Sequence, residues 1–344
     1  MRSRRVSSIG ESEQSEQALL RHIRSRAAHS TLGSLRLGIG DDCALIRPRR
    51  GEELAVTTDL SIAGRHFRLD WHFPESIGHR ALARGLSDLA AMGARPVAAF
   101  LSLGLPCELT VASGRKPAWI QRFLDGLLAL AAVHKTPLAG GDLSESPIPI
   151  ADIVLIGAVP RGKALLRSSA RPGHLLYATG SLGGAAAALA RLEELASTQL
   201  ANKPPRIPKQ LEAQLAPHLC PQPRVAQGLW LVRHGLASAA IDLSDGLSTA
   251  LAHLSEESGI AAQVVAAQLP IHPAATLQQA LNGGEDYELL FTAPPTARMP
   301  RKIAGVPITP IGRILPRRPG RPTVTLLTEQ GSQPLNPQGW EHFS

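Results

Sequence analysis

The acidic residues of this chain are outnumbered, 28 Asp+Glu against 36 Lys+Arg, yet many stand where ordinary surface acids do not. Asp41, Asp42, Asp59, Asp142, Asp242 and Asp245 sit at the ends of predicted strands beside Gly, Ser or Thr, and Asp88 falls inside a predicted helix. Taken singly, each reads as a helix cap whose carboxylate accepts a backbone N–H. Capping requires neither paired acids nor an acid in mid-helix. Hard-cation binding accounts for both. Mg2+ takes oxygen ligands, one or two carboxylates per ion, and completes its shell with water and phosphate. Several separated aspartates could hold more than one Mg2+, which suits a reaction that brings two highly charged phosphate groups together. Glycine beside the acids lets backbone approach phosphate. The pattern is not a P-loop, since no GxxxxGK[ST] segment occurs.

Other polar groupings keep two readings each. His66, after Ala63-Gly64-Arg65, is a structural histidine or a ligand contact. Gly180-Ser181-Leu182-Gly183-Gly184 is a close helix–strand junction or a phosphate cradle. Gly283-Gly284-Glu285-Asp286-Tyr287-Glu288 is a polar turn before a strand or part of a ligand site.

The elements that position these residues follow from periodicity. Leu19, Leu20 and Ile23 have helical spacing. Short apolar runs at 35–39 and 54–56 end in Gly40-Asp41-Asp42 and Thr57-Thr58-Asp59. Residues 76–92 and 119–133 read as amphipathic helices, the first with Ile77, Leu82, Leu86 and Leu89 near one face. Residues 97–103 and 148–159 read as strands, and Leu138 leads into Gly140-Gly141-Asp142. A polar connector follows, bracketed by Pro160-Arg161-Gly162-Lys163 and Arg171-Pro172-Gly173. Beyond it come a strand at 175–179, an Ala-rich helix, a Pro-, Lys- and Gln-rich stretch at 197–223 predicted to be irregular, and a strand at 237–241 before Asp242. Two α+β halves, 1–160 and 161–344, are the simplest organisation.

Composition narrows the function classes. A hydrophobic share of 44% excludes global disorder. No apolar run reaches the roughly 18 residues of a membrane span, and the basic N-terminus lacks the apolar stretch of a secretory signal. Cys43, Cys107 and Cys220 form neither a disulfide framework nor a CxxC site. A cytoplasmic protein without membrane contact is expected. The net charge of +8 raises the question of nucleic acid. The basic residues are scattered, however, the clusters at 47–50 and 317–321 read as solvated turns, and aromatic residues are too few for a stacking platform. An anionic small molecule fits the charge equally, and no nucleic-acid partner is expected.

The ordered segments 37–44 (LGIGDDCA), 57–67 (TTDLSIAGRHF), 86–93 (LSDLAAMG), 140–142 (GGD), 164–168 (ALLRS), 241–247 (IDLSDGL), 283–289 (GGEDYEL) and 340–343 (WEHF) resemble those of the thiamine-monophosphate kinases. That family lies within the superfamily typified by aminoimidazole ribonucleotide synthetase. The resemblance implies a two-domain α/β (α+β) fold whose N-terminal domain binds ATP and Mg2+ and pairs with a second subunit, giving a homodimer. It implies ATP-dependent conversion of thiamine monophosphate to thiamine diphosphate, the last step in making that cofactor, with several Mg2+ ions and ATP as co-substrate. Motif by motif, Asp42, Thr57, Thr58, Asp59, Asp88, Asp142, Asp242 and Asp245 fall at metal positions. Gly141, Asp142, Arg167 and Ser244 fall at ATP positions, and His66, Glu285 and Trp340 at substrate positions. No residue is implied as general acid, general base or nucleophile. The family tail often carries Tyr where this chain has Trp340, and 197–223 matches only at Pro223-Arg224.

The nearest rival is another ATP-dependent enzyme of the same superfamily, a purine synthetase, a selenophosphate synthetase or a hydrogenase maturation factor. GGEDYEL and WEHF favour the kinase. A non-enzymatic RNA-binding module is the rival from another class. The aspartate clusters argue against it, because without metal they repel phosphate.

Overall fold

Strands of β-branched and small residues build two main sheets covered by Ala- and Leu-rich helices, beside a small antiparallel pair, Leu35–Leu37 with Leu45–Ile46. The computed structural model describes residues 16–27, 33–112, 117–198, 204 and 206–339. In the first sheet the strands run in the order Glu52–Ile62, Ile150–Pro160, Arg95–Leu105, Leu138–Glu145. The first two junctions are antiparallel and the last is parallel. Helices Pro74–Ala91 and Trp119–His134 bury one face of this sheet. Ile77, Leu82, Leu86 and Leu89 meet Phe123, Leu124 and Leu127 from the second helix and Ile153 and Leu155 from the sheet. Proline occupies the first turn of the Pro74–Ala91 helix, where no N–H partner is lost.

The second sheet has eight strands. Its order is Gly331–Pro334, Val324–Thr328, Ile260–Val265, Val306–Pro316, Leu175–Thr179, Leu289–Ala293, Ala239–Asp242, with Lys302–Ile303 paired beside Val306–Pro316. Leu176, Ile241, Leu251, Leu254, Val264 and Leu290 form part of its core. Val225 and Leu289, from the second half of the chain, also pack into the first core, so the halves share apolar contact. The α/β class expected from the sequence is the architecture found.

One expectation fails. The stretch 197–223 contains a helix, Lys209–Leu219. Leu215 and Leu219 pack with Ala188 and Leu192 of helix Gly184–Ser197, and Trp71, Ile207 and Leu211 close over the same cluster. Its Pro, Lys and Gln content hid a four-residue apolar repeat that tertiary packing makes helical.

Candidate active site

The two sheets direct their acidic turns toward one cavity of about 500 Å³. Strand Glu52–Ile62 presents Asp59, and helix Pro74–Ala91 presents Arg84 and Asp88 one turn apart. The second half supplies Asp242 at the end of its strand, then Ser244 and Asp245, and Glu285 from the glycine-led turn. His66 lines the same space, its Nδ1 accepting the Ile62 N–H at 3.0 Å.

This convergence is electrostatically uncomfortable, and the discomfort is informative. Burial, then repulsion from Asp88, raises Asp59 to about 6. Burial and Asp88 likewise raise Asp242 to about 7, although Ser87 Oγ donates to its carboxylate at 2.9 Å. Burial pushes Asp88 up too, against the Thr57 hydroxyl that donates to it and the charges of Arg167 and Arg84. Arg84 Nε stands 3.5 Å from Asp59 Oδ1, but Asp59 Oδ2 is buried with no hydrogen-bond partner. Among the described residues, no three His, Cys, Asp or Glu side chains close a metal cage by themselves. An orphaned buried carboxylate oxygen within a set of crowded acids fits a cation that takes much of its shell from water and phosphate, as Mg2+ does.

The first sheet divides the remaining candidates. Successive side chains on a strand point to opposite faces. Thr57 and Asp59 therefore turn inward, while Thr58 turns outward and donates to Asp152 Oδ1 at 3.0 Å. Asp142 pairs in register with Ser102, and Ser102 with Asp152, so Asp142 lies on that outer face. Gly141 precedes it on the same exposed strand, and Asp42 is exposed in the bend after strand Leu35–Leu37. Asp42, Thr58, Gly141 and Asp142 thus stand apart from the cavity lining. Arg167 is exposed on a short 3-10 turn, close enough to act on Asp88 and Asp242. Trp340 lies outside the described residues.

Neither glycine-rich motif leaves all its polar groups open to a ligand. Gly183 and Ala185 N–H groups at the start of helix Gly184–Ser197 donate to Asp286 at 2.6 and 3.0 Å, so an internal carboxylate already occupies that helix end. Glu288 is buried against Arg224 and the Thr179 hydroxyl. Of the acids in this turn, Glu285 lines the cavity. A side chain at Gly284 would strike the Ser244 carbonyl, which is why a glycine lets this turn lie against the Asp242–Asp245 turn.

Relatives give this geometry a family. AIR synthase related protein N-terminal and C-terminal domain models match residues 40–159 and 171–323. Thiamine-monophosphate kinase of Escherichia coli K12 is 38% identical over 320 residues, 90% of this chain and 92% of that relative. The Bacillus subtilis 168 enzyme is 32% identical over 94% of this chain and 98% of its own length. The chain belongs to the thiamine-monophosphate kinase family. A crystal structure of thiamine-monophosphate kinase from Stenotrophomonas maltophilia K279a superposes with a TM-score of 0.75 at 37% identity, covering 91% of this chain and 96% of that one. AaThiL complexed with AMPPCP and TMP superposes at 0.70 with 27% identity, covering 98% of this chain and 100% of that one. Escherichia coli HypE, a hydrogenase maturation protein, reaches the same TM-score at 18% identity, with 94% and 98% coverage. That likeness is one of fold alone.

Sequence reading of this kinase-family chain missed Arg80, Arg84, His72, His218 and Asp152. Arg80 and Arg84 carried a signal, since with Asp88 they repeat every four residues along one helix face. His72 and His218 meet across 146 positions, which no local pattern announces.

Proposed function

We propose that this cleft transfers the γ-phosphoryl group of ATP directly to the phosphate of thiamine monophosphate, giving thiamine diphosphate and ADP. The observation that carries the reading is the convergence of Asp59 and Asp88 from one half with Asp242 and Asp245 from the other around a single cavity. The AMPPCP and TMP complex of a relative supports the same pair of substrates.

The acceptor phosphate is already an anionic nucleophile, so no general base is required. The barrier is alignment and charge repulsion. At ~4 Å and an effective dielectric of about 20, each pair of unit charges repels by about 4 kcal/mol. Bound Mg2+ would supply positive charge against this repulsion. Asp59, Asp88, Asp242 and Asp245 would hold it here, with Thr57 fixing the Asp88 carboxylate by its hydroxyl hydrogen bond. By motif, Arg167 and Ser244 belong to the nucleotide set, and Asp42, Thr58 and Asp142 to the metal set with Gly141 to the nucleotide set, although these last four lie outside the cavity lining of the single chain. Arg84 adds fixed positive charge at the cavity wall. His66 and Glu285 would face the acceptor, and Trp340 its cationic ring.

The test is direct. Pure protein with Mg-ATP and thiamine monophosphate is expected to yield thiamine diphosphate, while γ-labelled ATP alone leaves no label on the protein. Absence of thiamine diphosphate sinks the reading, and a trapped phosphoryl-protein sinks the direct transfer.

The halves 1–160 and 161–344 serve this reading as an ATP- and Mg2+-binding dimerisation domain and a C-terminal α/β domain, in a cytoplasmic homodimer. An outward apolar stripe supports pairing: Leu54, Val56 and Leu60 of strand Glu52–Ile62 are 44%, 64% and 46% exposed. Contiguous apolar surface of this kind marks association. Val56→Glu is expected to halve the mass seen by light scattering. A wild type that is already monomeric, or a variant that stays dimeric, excludes this interface.

A further inference from the structure

The structure points to a substrate-positioning role for a residue from the stretch that no family motif covers, and the inference rests on the phosphoryl-transfer reading above. We propose that His218, carried by helix Lys209–Leu219, is a positioning residue that donates Nδ1–H toward Glu285 and fixes that carboxylate at the acceptor end of the cleft.

The geometry defines a chain of donors and acceptors. His218 is only 2% exposed. Its Nε2 lies 3.2 Å from Arg80 Nη1 and 2.9 Å from His72 Nε2. A guanidinium can only donate, so His218 Nε2 must carry a lone pair. Burial, with the Arg80 charge beside them, holds both imidazoles below the usual histidine range and therefore neutral. A neutral ring with a bare Nε2 carries its proton on Nδ1, and Nδ1 stands 3.2 Å from Glu285 Oε2. The approach is poorly aligned, as contacts near reacting groups often are before substrate closes on them. With His218 Nε2 bare, the His72 contact is made by a proton on His72 Nε2, and His72 Nδ1, which stands 3.1 Å from both the Arg68 N–H and the Arg68 carbonyl oxygen, then accepts from the N–H. The guanidinium of Arg80 is what fixes the His218 tautomer.

Glu285 needs this support. Its backbone is left-handed, with φ of +67°, a conformation that a non-glycine residue adopts only when its surroundings over-determine it. Its N–H donates to the Ser244 carbonyl at 2.7 Å, which seats the turn against the acidic set. Arg80, itself buried, pairs with Oε1, and His218 faces Oε2. Removing His218 leaves one carboxylate oxygen without a protein donor at the cleft surface. Arg80 alone then sets the rotation of the carboxylate, and the acceptor end loses definition while the nucleotide end keeps its contacts.

Wild-type turnover of thiamine monophosphate is measured first, so its failure would refute the functional reading separately. His218→Leu is expected to raise KM for thiamine monophosphate about tenfold with KM for ATP within twofold. In a Glu285→Gln background the same change is expected to add less than twofold, because the carboxylate it positions is gone. Parallel rises in both KM values, no rise, or a full further tenfold in the Glu285→Gln background each overturn the role. Should His218→Leu not fold, imidazole 15N spectra of the intact protein, assigned through His218→Gln, decide the matter. A proton on Nδ1 of His218 is expected, and a proton on Nε2 overturns the relay.

Discussion

Asp59→Asn is expected to lower turnover by about 100-fold or more at saturating Mg2+ while the fold persists. A bound cation supplies several kcal/mol of transition-state charge stabilisation, and about 1.4 kcal/mol is a factor of ten. Asn keeps the shape of the side chain but offers one neutral oxygen in place of a carboxylate whose Oδ2 has no other partner. The same substitution should act oppositely on stability. Burial and Asp88 raise Asp59 from 3.8 to about 6, a net effect that already includes the attraction of Arg84. The ionised form is thus disfavoured in the folded protein by on the order of 3 kcal/mol. An acid raised in the folded state costs stability above its folded pKa and nothing below its unfolded one. In Mg2+-free buffer, Asp59→Asn should therefore melt above wild type at pH 8, and the gain should close between about pH 6 and pH 4. Near-normal turnover refutes the metal role, and a lower melting temperature at pH 8 refutes the crowded-carboxylate account.

That division between function and stability follows what could be read in the sequence. The acids of the cleft were legible because their signal is local: an apolar run, then Asp beside Gly, Ser or Thr. Which acids share a space was not, because strand register decides it. Thr57 and Asp59 face inward and Thr58 faces outward by simple alternation, but Asp142 joins the outer face only through its pairing with Ser102. The segment 180–184 shows the same limit. Its glycines fit a phosphate cradle as well as a packed junction until Asp286, about a hundred positions away, is seen to accept the N–H groups of Gly183 and Ala185. Burial raises Asp286 to about 7, so these backbone donors are what favour its charged form. Helix Lys209–Leu219 was hidden by composition although Ile207, Leu211, Leu215 and Leu219 repeat every four residues. With it went His218, whose partners come from two distant parts of the chain, His72 and Arg80 from one and Glu285 from the other.

Arg224→Met is expected to be the most destabilising single change at the joint between the halves, costing about 3–5 kcal/mol. Arg224 immediately precedes helix Val225–His234, and Gly228 of that helix lies so close to the Ala90 carbonyl that any side chain there would strike it. The helix is thereby seated on the end of helix Pro74–Ala91, which carries Asp88. On its other side Arg224 pairs with Glu288, whose side chain is 4% exposed and which also accepts the Thr179 hydroxyl at 2.5 Å. The pair thus ties the helix that touches the first half to strands Leu175–Thr179 and Leu289–Ala293 of the second. A buried ion pair is weak evidence of net stabilisation, because both charges lose water. Breaking it is different: Met keeps the bulk of the stem but leaves the Glu288 carboxylate buried with one hydroxyl donor. The melting temperature should fall by about 4–7 °C, since an unfolding entropy of about 2 cal/mol/K per residue gives a chain of 344 residues about 1.4 °C per kcal/mol. Arg224→Met with Glu288→Met should recover much of the loss, since no unpaired charge remains. If the single change costs less than about 1 kcal/mol, water reaches Glu288 in solution and the joint is held by its apolar contacts alone. If the double change melts as low as the single one, the pair itself, not the stranded carboxylate, is what holds the helix to the sheet.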